Sequence, residues 1–202
     1  PPLRIFYLPY LGRRPLTRLF PSSVGAFYGT KSWIAKELLK KLSHKYKKFI
    51  IFCRNKNHID QYINELKLYN LEIKIFETDI LNLEKNYSVI NELTTIKGLI
   101  WLAGFTGDPE EEFSNNAKCE ENLRINFLNP VLIINKIIPK IKTHSDSFLV
   151  VLSSVAGLRG RKKRLYYSSA KSGLIAYLSG LRQRLDEKKI NVITVIPGYM
   201  KT

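Results

Sequence analysis

Leu152-Ser153-Ser154-Val155-Ala156-Gly157 closes an apolar run, and Tyr166-Tyr167-Ser168-Ser169-Ala170-Lys171 opens a long helical pattern. A strand at 148–152 therefore feeds a helix at 166–187 through a short basic loop. The same unit recurs on either side. Candidate strands at 49–53, 72–76, 98–102 and 191–196 alternate with helical stretches at 31–43, 58–69, 83–93 and 119–141. Several of these strands are apolar nearly throughout, as strands covered on both faces should be. The alternation predicts an α/β fold, a doubly wound parallel sheet with helices on each side.

The chain has 202 residues, 45% hydrophobic and 25% charged, enough for one domain that needs neither disulfides nor a structural metal to hold its core. Two cysteines are too few for a disulfide framework, and three scattered histidines give no metal-ligand spacing, so no metal is expected. A reducing compartment, the cytoplasm, is the expectation. No apolar run reaches the roughly 18 residues of a membrane span. The formal charge of +16 favours polyanions, although Lys, Asn and Ile dominate throughout as a coding bias would produce.

Residues 1–24 differ from the rest. They carry Arg4, Arg13, Arg14 and Arg18 without an acid, together with several prolines and many aromatics. Such an arm suits an anionic membrane surface or nucleic acid. Prolines interrupt any amphipathic helix, which favours a poorly ordered or non-native leader. The expected division is a leader at 1–24 and a nucleotide-binding domain at 25–202.

Gly25-Ala26-Phe27-Tyr28-Gly29-Thr30-Lys31 runs into an apolar-periodic helix start. Glycines in such a turn let the backbone approach a pyrophosphate, and the helix N-terminus offers it free N–H groups. Two glycines before a helix are also often just a tight turn. About 25 residues further on, a strand ends in Cys53-Arg54-Asn55, where nucleotide-binding folds read the adenosine ribose. An acid there would bind a free 2′-hydroxyl; Arg54 suits a 2′-phosphate and so NADP(H) over NAD(H). Asp79, after the strand at 72–76, is placed to accept from an adenine amino group.

Tyr167 and Lys171 stand four residues apart and project from one helical face. Ser154 leaves the C-terminal end of a parallel strand, the edge where such sheets bind ligands. A free phenol, with a pKa of about 10, is a reluctant proton donor or acceptor at neutral pH, and a nearby ammonium brings its transfer closer to working pH.

Ser154, Tyr167 thirteen positions later and then Lys171 resemble the catalytic signature of the classical short-chain dehydrogenases and reductases. Asn126, in Leu123-Arg124-Ile125-Asn126, falls where that family keeps a fourth catalytic residue. Trp101-Leu102-Ala103-Gly104 sits at its Asn-Asn-Ala-Gly turn, and Pro197-Gly198-Tyr199-Met200-Lys201-Thr202 is similar to its nicotinamide-contacting segment. The resemblance spans about 24–202. It implies a Rossmann-type fold and hydride transfer between NADP(H) and a ketone or secondary alcohol. Tyr167 would be the general acid or base and Ser154 would polarise the carbonyl. Lys171 would hold the nicotinamide ribose and depress the tyrosine pKa, while Asn126 would position a water on the proton path. Gly25, Gly29, Lys31, Arg54, Asp79, Ala103, Gly104, Pro197, Gly198 and Thr202, with Tyr167 and Lys171, would form the cofactor site. A non-catalytic NADP-binding sensor or scaffold is the alternative.

Three departures from the family stand out. Lys31 replaces the third glycine of the turn, Leu102 replaces an asparagine that ties neighbouring strands, and Thr202 falls before the family's substrate lid and last strand. The expectation is therefore a C-terminally truncated fold. The loop between Ser154 and Tyr167 carries Arg159, Arg161, Lys162, Lys163 and Arg164, suited to a phosphate on the substrate or simply solvated. Ser153 to Arg161 and Ser169 to Leu185 are similar to the reductases acting on decaprenylphosphoryl-2-keto-erythro-pentofuranose. That implies a small-molecule or lipid-linked carbonyl substrate, with an anionic membrane surface as a peripheral contact and no nucleic acid. Family members commonly dimerise or tetramerise through the helices that hold Asn126 and Tyr167. A homodimer or homotetramer is therefore expected here, with Leu174, Leu178, Leu181 and Leu185 forming either contact surface or ordinary core.

Overall fold

The computed structural model describes residues 24–29, 33–68 and 70–198. Of the leader expected at 1–24, residues 1–23 lie outside the described residues and Val24 opens the first strand, while the positions Lys31 and Thr202 also lie outside them. In chain order the elements are β1 (Val24–Tyr28), α1 (Trp33–Ser43), β2 (Lys48–Cys53), α2 (Lys56–Glu65), β3 (Glu72–Glu77), α3 (Leu83–Asn91), β4 (Gly98–Trp101), α4 (Pro109–Ser114) and α5 (Asn116–Leu123). After a π turn (Arg124–Leu128) come α6 (Asn129–Ile137), β5 (Ser147–Leu152), α7 (Leu165–Asp186) and β6 (Ile190–Val195). The strands form one sheet in the order β3-β2-β1-β4-β5-β6, with every pairing parallel.

Burial follows from this order. The central strand β4, Gly-Leu-Ile-Trp, is buried at every position, whereas β3 at one end of the order alternates towards solvent. Successive side chains of a strand point to opposite faces. Ala26 and Tyr28 of β1 join the core under α3, α6 and α7, while Phe27 joins the core under α1 and α2. Leu174, Leu178, Leu181 and Leu185 all lie in the first of these cores, so the leucine stripe of α7 packs on the sheet.

Two expectations are corrected. The stretch read as a glycine turn is mostly β1. Gly25 pairs in register with Phe49 and Gly98 inside the sheet, and only Gly29 remains in the turn. The apolar content of Ala26-Phe27-Tyr28 decides this, since those side chains fill both cores. The helix expected at 119–141 is broken into α5, the π turn, α6 and a final 3-10 turn at Ile138–Lys140. α4 was not expected; it opens with Pro109 at its start and Asp108 capping the N–H groups of Glu110 and Glu111.

Leu102 costs the chain less than the loss of an asparagine suggests. Its N–H donates to Tyr28 O at 2.8 Å. One residue earlier, Trp101 stacks on Tyr28 with ring centres 4.2 Å apart. Tyr28 stacks in turn on Phe52, and Phe52 on Phe76. These four rings are direct register partners across β4, β1, β2 and β3, so aromatic pairs tie the strand ends together.

Candidate functional site

The order of the sheet reverses direction between β1 and β4, and the C-terminal ends of these strands flank the crevice where such sheets bind ligands. Gly29 stands at this edge with φ of +85°, and a Cβ on it would meet Ala103 N at 2.5 Å. The glycine lets the first turn lie against the segment after β4. Arg54 is exposed just beyond β2, and Asp79 follows β3 with Oδ1 accepting from Leu81 N at 2.8 Å. Trp33, the first residue of α1, is 59% exposed, so a bulky side chain occupies the helix start next to the turn.

Ser154 leaves β5 and caps a 3-10 turn, Val155–Gly157, its Oγ accepting from Ala156 N at 3.1 Å. That contact uses a lone pair and leaves the hydroxyl proton to be donated. The Ser154 hydroxyl lies beside the Tyr167 phenol, from the first turns of α7, close enough to lower that phenol's pKa. A Cβ on Gly157 would come within 2.7 Å of the Lys171 backbone, so glycine is what allows this turn to press against α7. Val155 N donates to Pro197 O at 3.0 Å, drawing Pro197 and Gly198, after β6, to the same edge.

Lys171 extends from α7 beneath Tyr167, its Nζ 5.6 Å from the ring centre. It is almost fully buried, and this burial brings its ammonium down to about 8. The phenol behaves differently from expectation. Burial pushes Tyr167 up, while the Ser154 hydrogen bond and the charge of Arg164 pull it down; the net direction is upward. Arg164, read from sequence only as one of a run of cations, turns inward and donates to Gly107 O at 3.0 Å. Arg159, Arg161, Lys162 and Lys163 stay exposed.

Asn126 is fully buried in the π turn, a helix widening that often marks a functional position. Its Nδ2 donates to Phe105 O at 2.7 Å and its Oδ1 accepts from Phe105 N at 3.0 Å. A Cβ on Gly104 would lie 3.2 Å from Lys171 Nζ and 3.3 Å from Asn126 Oδ1. The bare backbone of Gly104 thus borders both polar groups. Ser154, Tyr167, Lys171, Asn126 and Gly104 come together at one end of the sheet, with Ala103, Gly29 and Pro197 along the same edge; Gly25 lies one strand-length away. Asn122 was missed from sequence. It donates and accepts next to Asn126, and only its spacing of one helical turn from Asn126 signalled it.

The described residues fit a nicotinamide dinucleotide in two places. A buried ammonium borders the side-chain-free backbone at Gly104 and faces the Tyr167 ring, and a cation and a carboxylate stand beyond β2 and β3. Among the described residues no group of acids, histidines and cysteines could hold a metal ion, and no helix is long and apolar enough to cross a membrane.

Residues 26–202 match the family model for short chain dehydrogenases. A 3-oxoacyl-acyl-carrier-protein reductase of Buchnera aphidicola subsp. Schizaphis graminum is 27% identical over 86% of this chain and 72% of its own length. An acetoacetyl-CoA reductase of Allochromatium vinosum is 25% identical over 65% of this chain and 55% of that protein. A short-chain type dehydrogenase/reductase from Mycobacterium ulcerans superposes with a TM-score of 0.79 at 17% identity, covering 92% of this chain and 70% of that one.

Proposed function

The chain belongs to the short-chain dehydrogenase family of NAD(P)-dependent oxidoreductases, and from that premise we propose that it reduces a ketone carried on a phosphate-bearing group, using NADP(H). The observation that carries this reading is the grouping of Tyr167, with Ser154 beside it, over the buried Lys171 Nζ that borders Gly104. Bound NADPH supplies the hydride for the carbonyl carbon. The chain handles the oxygen. Ser154 donates its O–H to the carbonyl oxygen, and Tyr167 Oη delivers the proton that oxygen needs as it gains charge. The phenol is protonated, the form an acid working in the reducing direction requires, and Ser154 and Arg164 oppose the upward push of burial. Lys171 holds positive charge under the ring and offers donors to ribose hydroxyls. Asn126 fixes the Gly104–Phe105 backbone beside it.

Arg54 supports NADP(H) over NAD(H), because a guanidinium beyond β2 pairs with a 2′-phosphate. Lys31, Asp79, Ala103, Pro197, Gly198 and Thr202 complete the proposed cofactor contacts. Residues 25–202 form the proposed nucleotide-binding domain, working in the cytoplasm as a dimer or tetramer.

The exposed cations Arg159, Arg161, Lys162 and Lys163 beside the reactive centre support an anionic carrier on the substrate. The relatives named above act on 3-oxoacyl carrier protein and acetoacetyl-CoA. A polyprenyl-phosphate keto sugar at an anionic membrane surface has the same chemistry, a ketone tethered to phosphate. Oxidation of NADPH is expected with acetoacetyl-CoA or with the polyprenyl-phosphate ketopentose, and the better substrate names the carrier. Acetoacetate without a phosphate should be at least about tenfold poorer. Equal rates with and without the phosphate would remove the anionic carrier from the account. NADPH binding without turnover of any ketone would favour a sensor or scaffold.

A further inference from the structure

Glu112 reverses the polarity of its helix. On α4 Phe113 is 69% exposed, whereas Glu112 is 3% exposed. A carboxylate is withdrawn from water only where its oxygens are held, and here something holds it. Glu112 Oε1 accepts from Nδ2 of Asn122, which is fully buried on α5. Asn122 then accepts from Nδ2 of Asn126, through Oδ1 at 2.9 Å and through its backbone oxygen at 3.1 Å. Asn126 ends the series on the backbone of Phe105.

The direction of this series is fixed at both ends, by a carboxylate that only accepts and by the Phe105 N–H that only donates. A primary amide has a donor end and an acceptor end, and two amides in sequence can be satisfied in either sense. A carboxylate only accepts. It obliges Asn122 to turn Nδ2 outward to Glu112 and Oδ1 inward, which obliges Asn126 to present Nδ2 to Asn122. The Oδ1 of Asn126 is thereby left to receive Phe105 N, beside Gly104 and within the neighbourhood of Lys171 Nζ.

The loop carrying Phe105 is held from its far end as well. Gly107 has φ of +64°, and a Cβ there would overlap Glu112 Oε1. Its carbonyl receives Arg164 Nη1. Glu112 thus lies under one end of the 104–107 segment and reaches the other end through two amides.

We propose that Glu112 is a positioning residue, an acceptor that helps set the orientation of Asn122 and Asn126 and so holds the Gly104–Phe105 backbone in register with Lys171 and Tyr167. This rests on the reading of that centre as the reactive one. The role asks for an acceptor at 112 facing Asn122 Nδ2. Leucine at 112 would leave Asn122 free to turn over; glutamine keeps an acceptor for it.

The test compares Glu112→Leu, Glu112→Gln and Asn122→Ala with the unaltered chain, using NADPH and acetoacetyl-CoA, and follows amide hydrogen exchange at Phe105. Glu112→Leu and Asn122→Ala are expected to lower kcat by about 100-fold, as misplacement of reacting groups does, while KM for NADPH stays within about twofold. Exchange at Phe105 should quicken in both, with exchange in β4 and β5 unchanged, and Glu112→Gln should restore most of kcat and of the protection. If Glu112→Leu fails to fold, Asn122→Ala reads the same series one step later. Should the unaltered chain not turn over acetoacetyl-CoA, the proposed substrate fails, and the exchange pattern alone decides the positioning role. Folded Glu112→Leu or Asn122→Ala with Phe105 still protected, or a loss that Glu112→Gln does not reverse, would overturn it.

Discussion

The ammonium of Lys171 stands 5.6 Å from the centre of the Tyr167 ring, one turn further along α7 and almost wholly out of water. This arrangement sets stability against function. Burial brings Lys171 from 10.5 to about 8. Between those values the unfolded chain holds a proton that the folded chain has released, so raising the pH across that window favours folding. At pH 7 both states are charged, and the folded state carries a desolvation cost of up to about 3 kcal/mol. Lys171→Met is therefore expected to raise the thermal unfolding midpoint at pH 7 and to flatten the stability gain between pH 8 and 10.5. Unfolding scans across that range check both.

The same shift predicts an activity limb. Ketone reduction needs Tyr167 protonated and Lys171 charged, and burial holds the phenol above its ordinary value. The limiting group on the alkaline side is then Lys171. A plot of kcat/KM for reduction against pH should bend downward near 8, since that ratio reports the free enzyme.

Tyr28 carries a second, structural prediction. Its hydroxyl donates to Asn86 Oδ1 at 2.6 Å within the core, and Asn86 donates to Asp79 O and Asn82 O. Tyr28→Phe keeps the stacking on Trp101 and Phe52 but removes the donor. It should cost about 1–3 kcal/mol in urea unfolding, the price of leaving a buried acceptor unmet.

Arg54 tests the cofactor preference separately from the chemistry. Arg54→Asp places a carboxylate where a 2′-phosphate would lie and suits a free ribose hydroxyl. Affinity for NADPH should fall by about tenfold or more, with that for NADH held or raised, as measured by fluorescence titration.

Much of this was legible in the chain because it rests on short-range patterns. β2, β4 and β5 are apolar runs that only two-sided burial explains, and the Tyr167 to Lys171 spacing is fixed by helix geometry. β1 was misread because Gly25 and Gly29 look alike in sequence. Only the register with Phe49 and Gly98 separates a strand glycine from one in the left-handed region. The break at Asn126 and the inward turn of Glu112 were hidden for another reason. Both depend on hydrogen bonds to residues that meet only once α4, α5 and the segment after β4 are packed. The rise of the Tyr167 phenol likewise comes from burial, which spacing alone does not reveal.

The most direct test of the account is the rate of NADPH oxidation with acetoacetyl-CoA by the unaltered chain and by Tyr167→Phe, with NADPH binding measured alongside. Removing the phenolic proton donor should lower kcat by about 100- to 10,000-fold while leaving NADPH affinity nearly unchanged. A Tyr167→Phe chain that turns over as fast as the original would contradict the assignment of the proton to Tyr167, and with it the reaction built on Ser154, Tyr167 and Lys171.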